Sequence, residues 1–152
     1  MAYDNHYRRG GGRNGGGQNG GKDAPKPIRA EALPENYVDE AEAVILSFDK
    51  EKCITTSKLR NLLSLASDIY NRENLRTEQT LSPESMAGIH MMRIRTAYEC
   101  GRDQHTKDFV RKSKLLEHLK WLSEKNDRAA AIAFFHYMEA LVAYHRYYRK
   151  ED

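Results

Sequence analysis

Apolar residues recur three and four positions apart through most of this chain, and no stretch alternates with a period of two, so the pattern predicts helices and no strands. A first helix is expected at about 35–48, after Pro34, with Val38, Ala41, Ile45 and Phe48 as its stripe. A second, at about 57–73, places Leu59, Leu62, Leu63, Ala66, Ile69 and Tyr70 on one face. Ser82 followed by Pro83 is a start signal for a third helix, because Pro suits the first helical position. Its inner face is read as Met91, Ile94, Ala97, Tyr98 and Gly101, which puts Arg95, Glu99 and Arg102 on an outer stripe. A fourth helix is expected at about 107–124, with Phe109, Leu115, Leu116, Leu119 and Leu122 as core candidates. Asn126 or Asp127 caps a fifth, at about 128–149. Between Ala129 and Tyr144 its strongly polar residues are His136 and Glu139, so it is expected to be buried on most sides. Short loops between five helices make an all-α bundle.

The first 24 residues break this pattern. Eight of the ten glycines lie between Gly10 and Gly21, among Arg, Asn and Gln, with almost nothing apolar to offset the entropy of ordering. Residues 1–24 are therefore read as a disordered Gly/Arg/Asn-rich tail and 25–152 as one helical-bundle domain. The run Arg9-Gly10-Gly11-Gly12-Arg13 suits either a flexible linker or a weak single-stranded RNA contact.

Charge adds a second layer. The net charge is only +3, but residues 1–22 carry +3, residues 23–51 carry −5 and residues 52–152 carry +5. An acidic start on a basic body can present two faces of opposite sign, or the two regions can neutralise each other within the fold. The second helix opens against its own dipole. Thr55, Thr56 or Ser57 supplies a capping hydroxyl, yet the first turn carries Lys58 and Arg60 where acids are favoured. Free N–H groups, hydroxyls and two cations suit an anion such as a phosphate; the alternative is two solvated cations. Further basic residues recur on outer stripes: Arg93 with Arg95, then Arg102, Lys114 with Arg111 and Lys112, and Arg146 with Arg149 and Lys150.

Catalytic chemistry finds no foothold. His90, His105, His118, His136 and His145 form no i,i+4 pair, HExxH, GxxxxGK[ST] and GxSxG are absent, and the GxGxxG spacing inside the glycine-rich tail does not count, because the tail follows no strand and precedes no helix directly. Cys53 and Cys100 stand alone and read as reduced thiols of a cytoplasmic protein. No apolar run reaches membrane-spanning length. The reading calls for no catalytic residue, no metal and no cofactor.

Three segments together, Ile54-Thr55-Thr56-Ser57-Lys58-Leu59-Arg60, Tyr98-Glu99-Cys100-Gly101-Arg102 and Glu139 to Tyr148, resemble the small subunit of type III-A CRISPR (Csm) effector complexes, the second Csm protein family. The resemblance spans about residues 36–150. It implies a non-catalytic five-helix protein that stacks in several copies beside the backbone subunits and contacts guide and target RNA without reading sequence. The large signalling subunit and further copies of itself are the other implied partners. Carried over by position, the resemblance assigns RNA contact to Lys58, Arg60, Arg102, Arg146 and Arg149, with Arg95 and Lys114 as weaker additions. The competing reading is a helical protein–protein adaptor whose cations face solvent.

Overall fold

The computed structural model describes residues 24–149, in which every regular element is helical. The expected disorder of residues 1–24 concerns a segment that, Ala24 apart, lies outside the described residues, as does Lys150. Helix α1 spans Tyr37–Leu46, a 3-10 turn Lys50–Lys52, α2 Thr56–Glu73, α3 Pro83–Arg102, α4 Gln104–Ser113, α5 Leu115–Lys125 and α6 Arg128–Tyr148. Helix α6 packs on α1 and α2, while α3 packs on α2, α4 and α5. Ile45, Leu59, Leu62, Ile89, Phe109, Leu119, Met138 and Leu141 form the fully buried centre.

Helix starts follow from their hydroxyl and carboxylate caps. Thr55, Ser82, Asp103 and Asp127 accept the backbone N–H three residues on, at the starts of α2, α3, α4 and α6. Of the two candidates for the last helix, Asp127 is therefore the cap. Two buried histidines tie loops to helices. His145 donates to the Ile54 carbonyl at 2.7 Å, and His118 Nδ1 lies 2.9 Å from the Glu31 carbonyl. Burial also pushes the His118 imidazole below its ordinary pKa.

Two expectations are corrected. The predicted fourth helix is two helices, broken at Lys114, whose backbone sits in the left-handed region with φ 57°. That conformation costs a non-glycine residue about 1–2 kcal/mol. Phase explains it. On one continuous helix, Thr106, Phe109, Val110 and Ser113 would point about half a turn away from Leu115, His118, Leu119 and Leu122. The break turns both sets into the core, where all eight are buried. Tyr137 of α6 donates its hydroxyl to the Ser113 carbonyl at 2.9 Å and so satisfies the end of α4.

The inner face of α3 is the other correction. Met91, Ile94 and Tyr98 are 55–60% exposed, and the buried face is Ser85, Ile89, Met92, Thr96 and Cys100. Helix α3 is seated through Ile89 and Met92 together with small and polar side chains. The Ser85 hydroxyl is shared with Ser82 and Arg72. A Cβ on Gly88 would meet Ile69 of α2 at 3.0 Å, closer than ordinary packing allows. This close approach helps set which face of α3 meets the core, with Ile89 and Met92 inside and Met91, Ile94 and Tyr98 outside.

Candidate nucleic-acid interface

Helix α2 begins where the chain leaves the extended Ile54–Thr55 segment, with Thr55 Oγ1 accepting the Lys58 amide at 3.4 Å. The Lys58 ammonium does meet an anion, and it is the protein's own. The Asp103 carboxylate lies 3.1 Å away. Asp103 ends α3, caps α4 and accepts from the Thr106 amide and hydroxyl, at 3.0 and 2.6 Å. The Thr106 hydroxyl, with Lys58 beside it, holds this carboxyl down to about 2. The starts of α2 and α4 and the end of α3 are thereby joined at one corner.

From that corner a groove of about 470 Å³ runs between α2 and α3, lined by Lys58, Asn61, Leu65, Arg95, Tyr98 and Arg102 among others. Arg102 lies over the Tyr98 ring, 5.5 Å from its centroid, and 3.6 Å from the Glu99 carboxylate. Arg95 has no ion pair or hydrogen bond among the described residues. Tyr98, expected in the core, instead offers an exposed ring between cations. A signal for it existed in the sequence: Arg95 and Arg102 share its side of the helix, and cations rarely flank a buried ring.

Helices α2 and α6 run antiparallel. Tyr70 stacks on Phe135 at one end, with ring centroids 4.1 Å apart, and His145 meets Ile54 at the other. Arg60 and Arg146 both fall at the second end, exposed and without ion pair or hydrogen bond among the described residues.

The structure thus brings Lys58, Arg95 and Arg102 into one groove and places Arg60 and Arg146 at the same end of the α2–α6 pair. It separates the other two candidates. Arg149 donates Nη2 to the Ile45 carbonyl at 3.0 Å and to the Phe48 carbonyl, clamping the end of α1. Lys114 stands at the α4–α5 break and pairs with Glu31 at 3.0 Å.

Chemically, the α2–α3 groove offers guanidinium and ammonium groups to phosphates and one ring for stacking, which is recognition of a polyanion backbone without a base code. It offers no activated nucleophile. Burial pushes the Cys100 thiol up to about 11 and raises Cys53 as well. Among the described residues no three His, Cys, Asp or Glu side chains cluster as a metal site, and no helix is long and apolar enough to cross a membrane.

A family model described as Csm2 Type III-A matches residues 31–151. A protein of Streptococcus thermophilus described as CRISPR system Cms protein Csm2 is 38% identical over 122 residues, covering 78% of this chain and 95% of the relative. A protein so described from Mycobacterium tuberculosis strain H37Rv is 35% identical over 123 residues, covering 79% and 97%. Another, from Enterococcus italicus, is 33% identical over 99 residues, covering 65% and 71%.

Proposed function

The chain belongs to the Csm2 family of type III-A CRISPR systems, and from that premise we propose that it is a non-catalytic structural subunit that contacts guide and target RNA through its basic face. It works in the cytoplasm, stacks in several copies along the effector, and has the backbone subunit and the large signalling subunit as neighbours. Residues 25–152 act as the unit. The observation that carries the RNA reading is the trio Arg60, Arg95 and Arg146, three exposed guanidinium groups with no partner among the described residues. Lys58 and Arg102, each already near a carboxylate, add charge beside them. Sequence is then read by guide–target base pairing, as RNA-guided recognition requires. Arg149 and Lys114 are left out of this contact set, because their charges serve α1 and Glu31.

Tagged purification from the native host at moderate salt tests the reading. The expected result is a large complex carrying short RNAs with a shared 5′ repeat sequence. A lone bundle, or protein partners without RNA, would contradict it.

One observation favours the adaptor reading. Met91, Ile94 and Tyr98 form an exposed apolar ridge on α3, and such ridges mark protein contacts. The two readings divide on Arg60→Ala/Arg146→Ala, which lowers RNA retention only if those arginines face RNA. Stacking has its own test. Glu40 and Glu42 lie on the acidic α1, and reversing both charges is expected to disrupt association between copies if α1 meets a basic neighbour; unchanged assembly would overturn that contact.

A further inference from the structure

A second cationic site lies across α3 from the groove already described. Residues 24–34 run as an extended strap over α5. Ile28 accepts from the Lys120 ammonium at 2.7 Å, the Glu31 amide donates to the Glu117 carbonyl at 3.1 Å, and the Glu31 carbonyl meets His118. Under the strap is a cavity of about 540 Å³, within the range of small-ligand sites, roughly 300–1,000 Å³. Lys26 and Arg29 from the strap and Lys107 and Arg111 from α4 line it. None of the four has an ion pair among the described residues, and Glu117 is the one carboxylate on the lining. Four cations against one carboxylate leave an excess of positive charge, which an entering anion offsets.

Two further features narrow the ligand. The floor is apolar, made by Ala97, Val110 and Leu116 among others, and can take a ring. One oxygen of Glu117 is buried and has no hydrogen-bond partner. Glu117 also lines the cavity, and with its carboxylate turned toward the occupant this oxygen accepts from a sugar hydroxyl or a base amide or amino group. Phosphate for the cations, a ring for the floor and a donor for Glu117 are the three parts of a ribonucleotide. Lys26 and Arg29 lie before residue 31, where the family match begins, so half of this rim comes from chain outside the matched region.

We infer that the cavity under the strap holds one nucleotide of a single-stranded RNA, with its phosphate on Lys26, Arg29, Lys107 and Arg111. The inference does not use Arg60, Arg95 or Arg146, although it shares with the proposed function the view that this protein meets RNA.

The test is fluorescence anisotropy of the full chain with a labelled oligouridylate of a dozen nucleotides, across a salt series. Arg29→Glu and Arg111→Glu are each expected to weaken binding about fivefold or more and to lower the salt slope by about 0.7, the value of one single-strand phosphate contact. Lys125→Glu makes the same charge change on an exposed residue that does not line the cavity, and should leave both unchanged. Equal behaviour of Arg29→Glu and Lys125→Glu would overturn the inference, and so would no affinity of the wild type for the oligonucleotide. Polyglutamate that binds at Arg29 where oligouridylate does not would overturn it in favour of an acidic protein partner. In the purified effector, loss of RNA with Arg60→Ala/Arg146→Ala and none with Arg29→Glu would sink this site alone. The reverse pattern would sink the α2–α6 assignment alone.

Discussion

The two ends of the α2–α6 pair both hold arginines and use them in opposite ways. At one end Glu73 is fully buried, and Arg76 and Arg128 close around it. Arg76 donates to the Glu73 carboxylate at 2.8 Å, while Arg128 donates to the Glu73 carbonyl at 2.9 Å and to the Glu78 carbonyl at 2.6 Å. The Ser82 amide adds a bond to Glu73 at 3.0 Å. Burial alone would push this carboxyl up, yet the bonds from Ser85, Ser82 and Arg76 outweigh it and bring it down to about 2. At the other end Arg60 and Arg146 have no such acceptors among the described residues. A guanidinium surrounded by the protein's own oxygens builds the fold; one left without them is available to a polyanion.

This contrast can be broken at either end. The largest effect is expected from Glu73→Gln, which removes the buried carboxylate that Arg76 and the Ser82 amide bond, leaves Arg76 only its Glu78 and Thr80 partners, and should cost about 2–3 kcal/mol. Chemical denaturation measures it, and a change below about 0.5 kcal/mol would show that the cluster is ornamental. The same carboxyl governs acid stability. Its folded pKa of about 2 lies below the unfolded value near 4.5, so its contribution is present above about pH 4.5 and is lost as pH falls toward 2. Melting followed through that window should show a decline that Glu73→Gln flattens. Arg149→Met, which unclamps the end of α1, should cost about 1–2 kcal/mol and leave RNA retention as it was. Loss of RNA with unchanged stability would return Arg149 to the interface. Smallest is Lys58→Met. Its pair with Asp103 is half exposed, with 44% of the Lys58 side chain accessible, so less than about 1 kcal/mol is at stake.

The starts of α2, α3 and α6 were legible because caps are local, whereas the Asp103 cap of α4 and the start of α5 were not read. Ser82-Pro83 and the residues around Thr55 and Asp127 state their positions within one turn of chain. The face of α3 was not, since Ile89 and Met92 are matched in hydropathy by Met91 and Ile94, and the small and polar Ser85, Gly88 and Thr96 that accompany the buried pair fit only once α3 meets α2 closely at Ile69. The break at Lys114 carried no glycine or proline to announce it. It was encoded instead in a phase conflict between Val110 and Leu119, which fall half a turn apart on a single helical wheel yet are both buried. For the site, the sequence identified the cations but not their acceptors. The carbonyls of Ile45 and Phe48 are 104 and 101 residues from Arg149, and Asp103 is remote from Lys58 until α3 folds back along α2. No local pattern distinguishes Arg146, three residues away, from Arg149.

The most direct test of the central claim is RNA retained per effector complex, measured beside melting temperature, for Arg60→Ala/Arg146→Ala against wild type. The account predicts several-fold less RNA at moderate salt with an unchanged melting temperature, because neither guanidinium has an acceptor to lose among the described residues. Full RNA retention would contradict it, and a lowered melting temperature would assign these arginines to the fold.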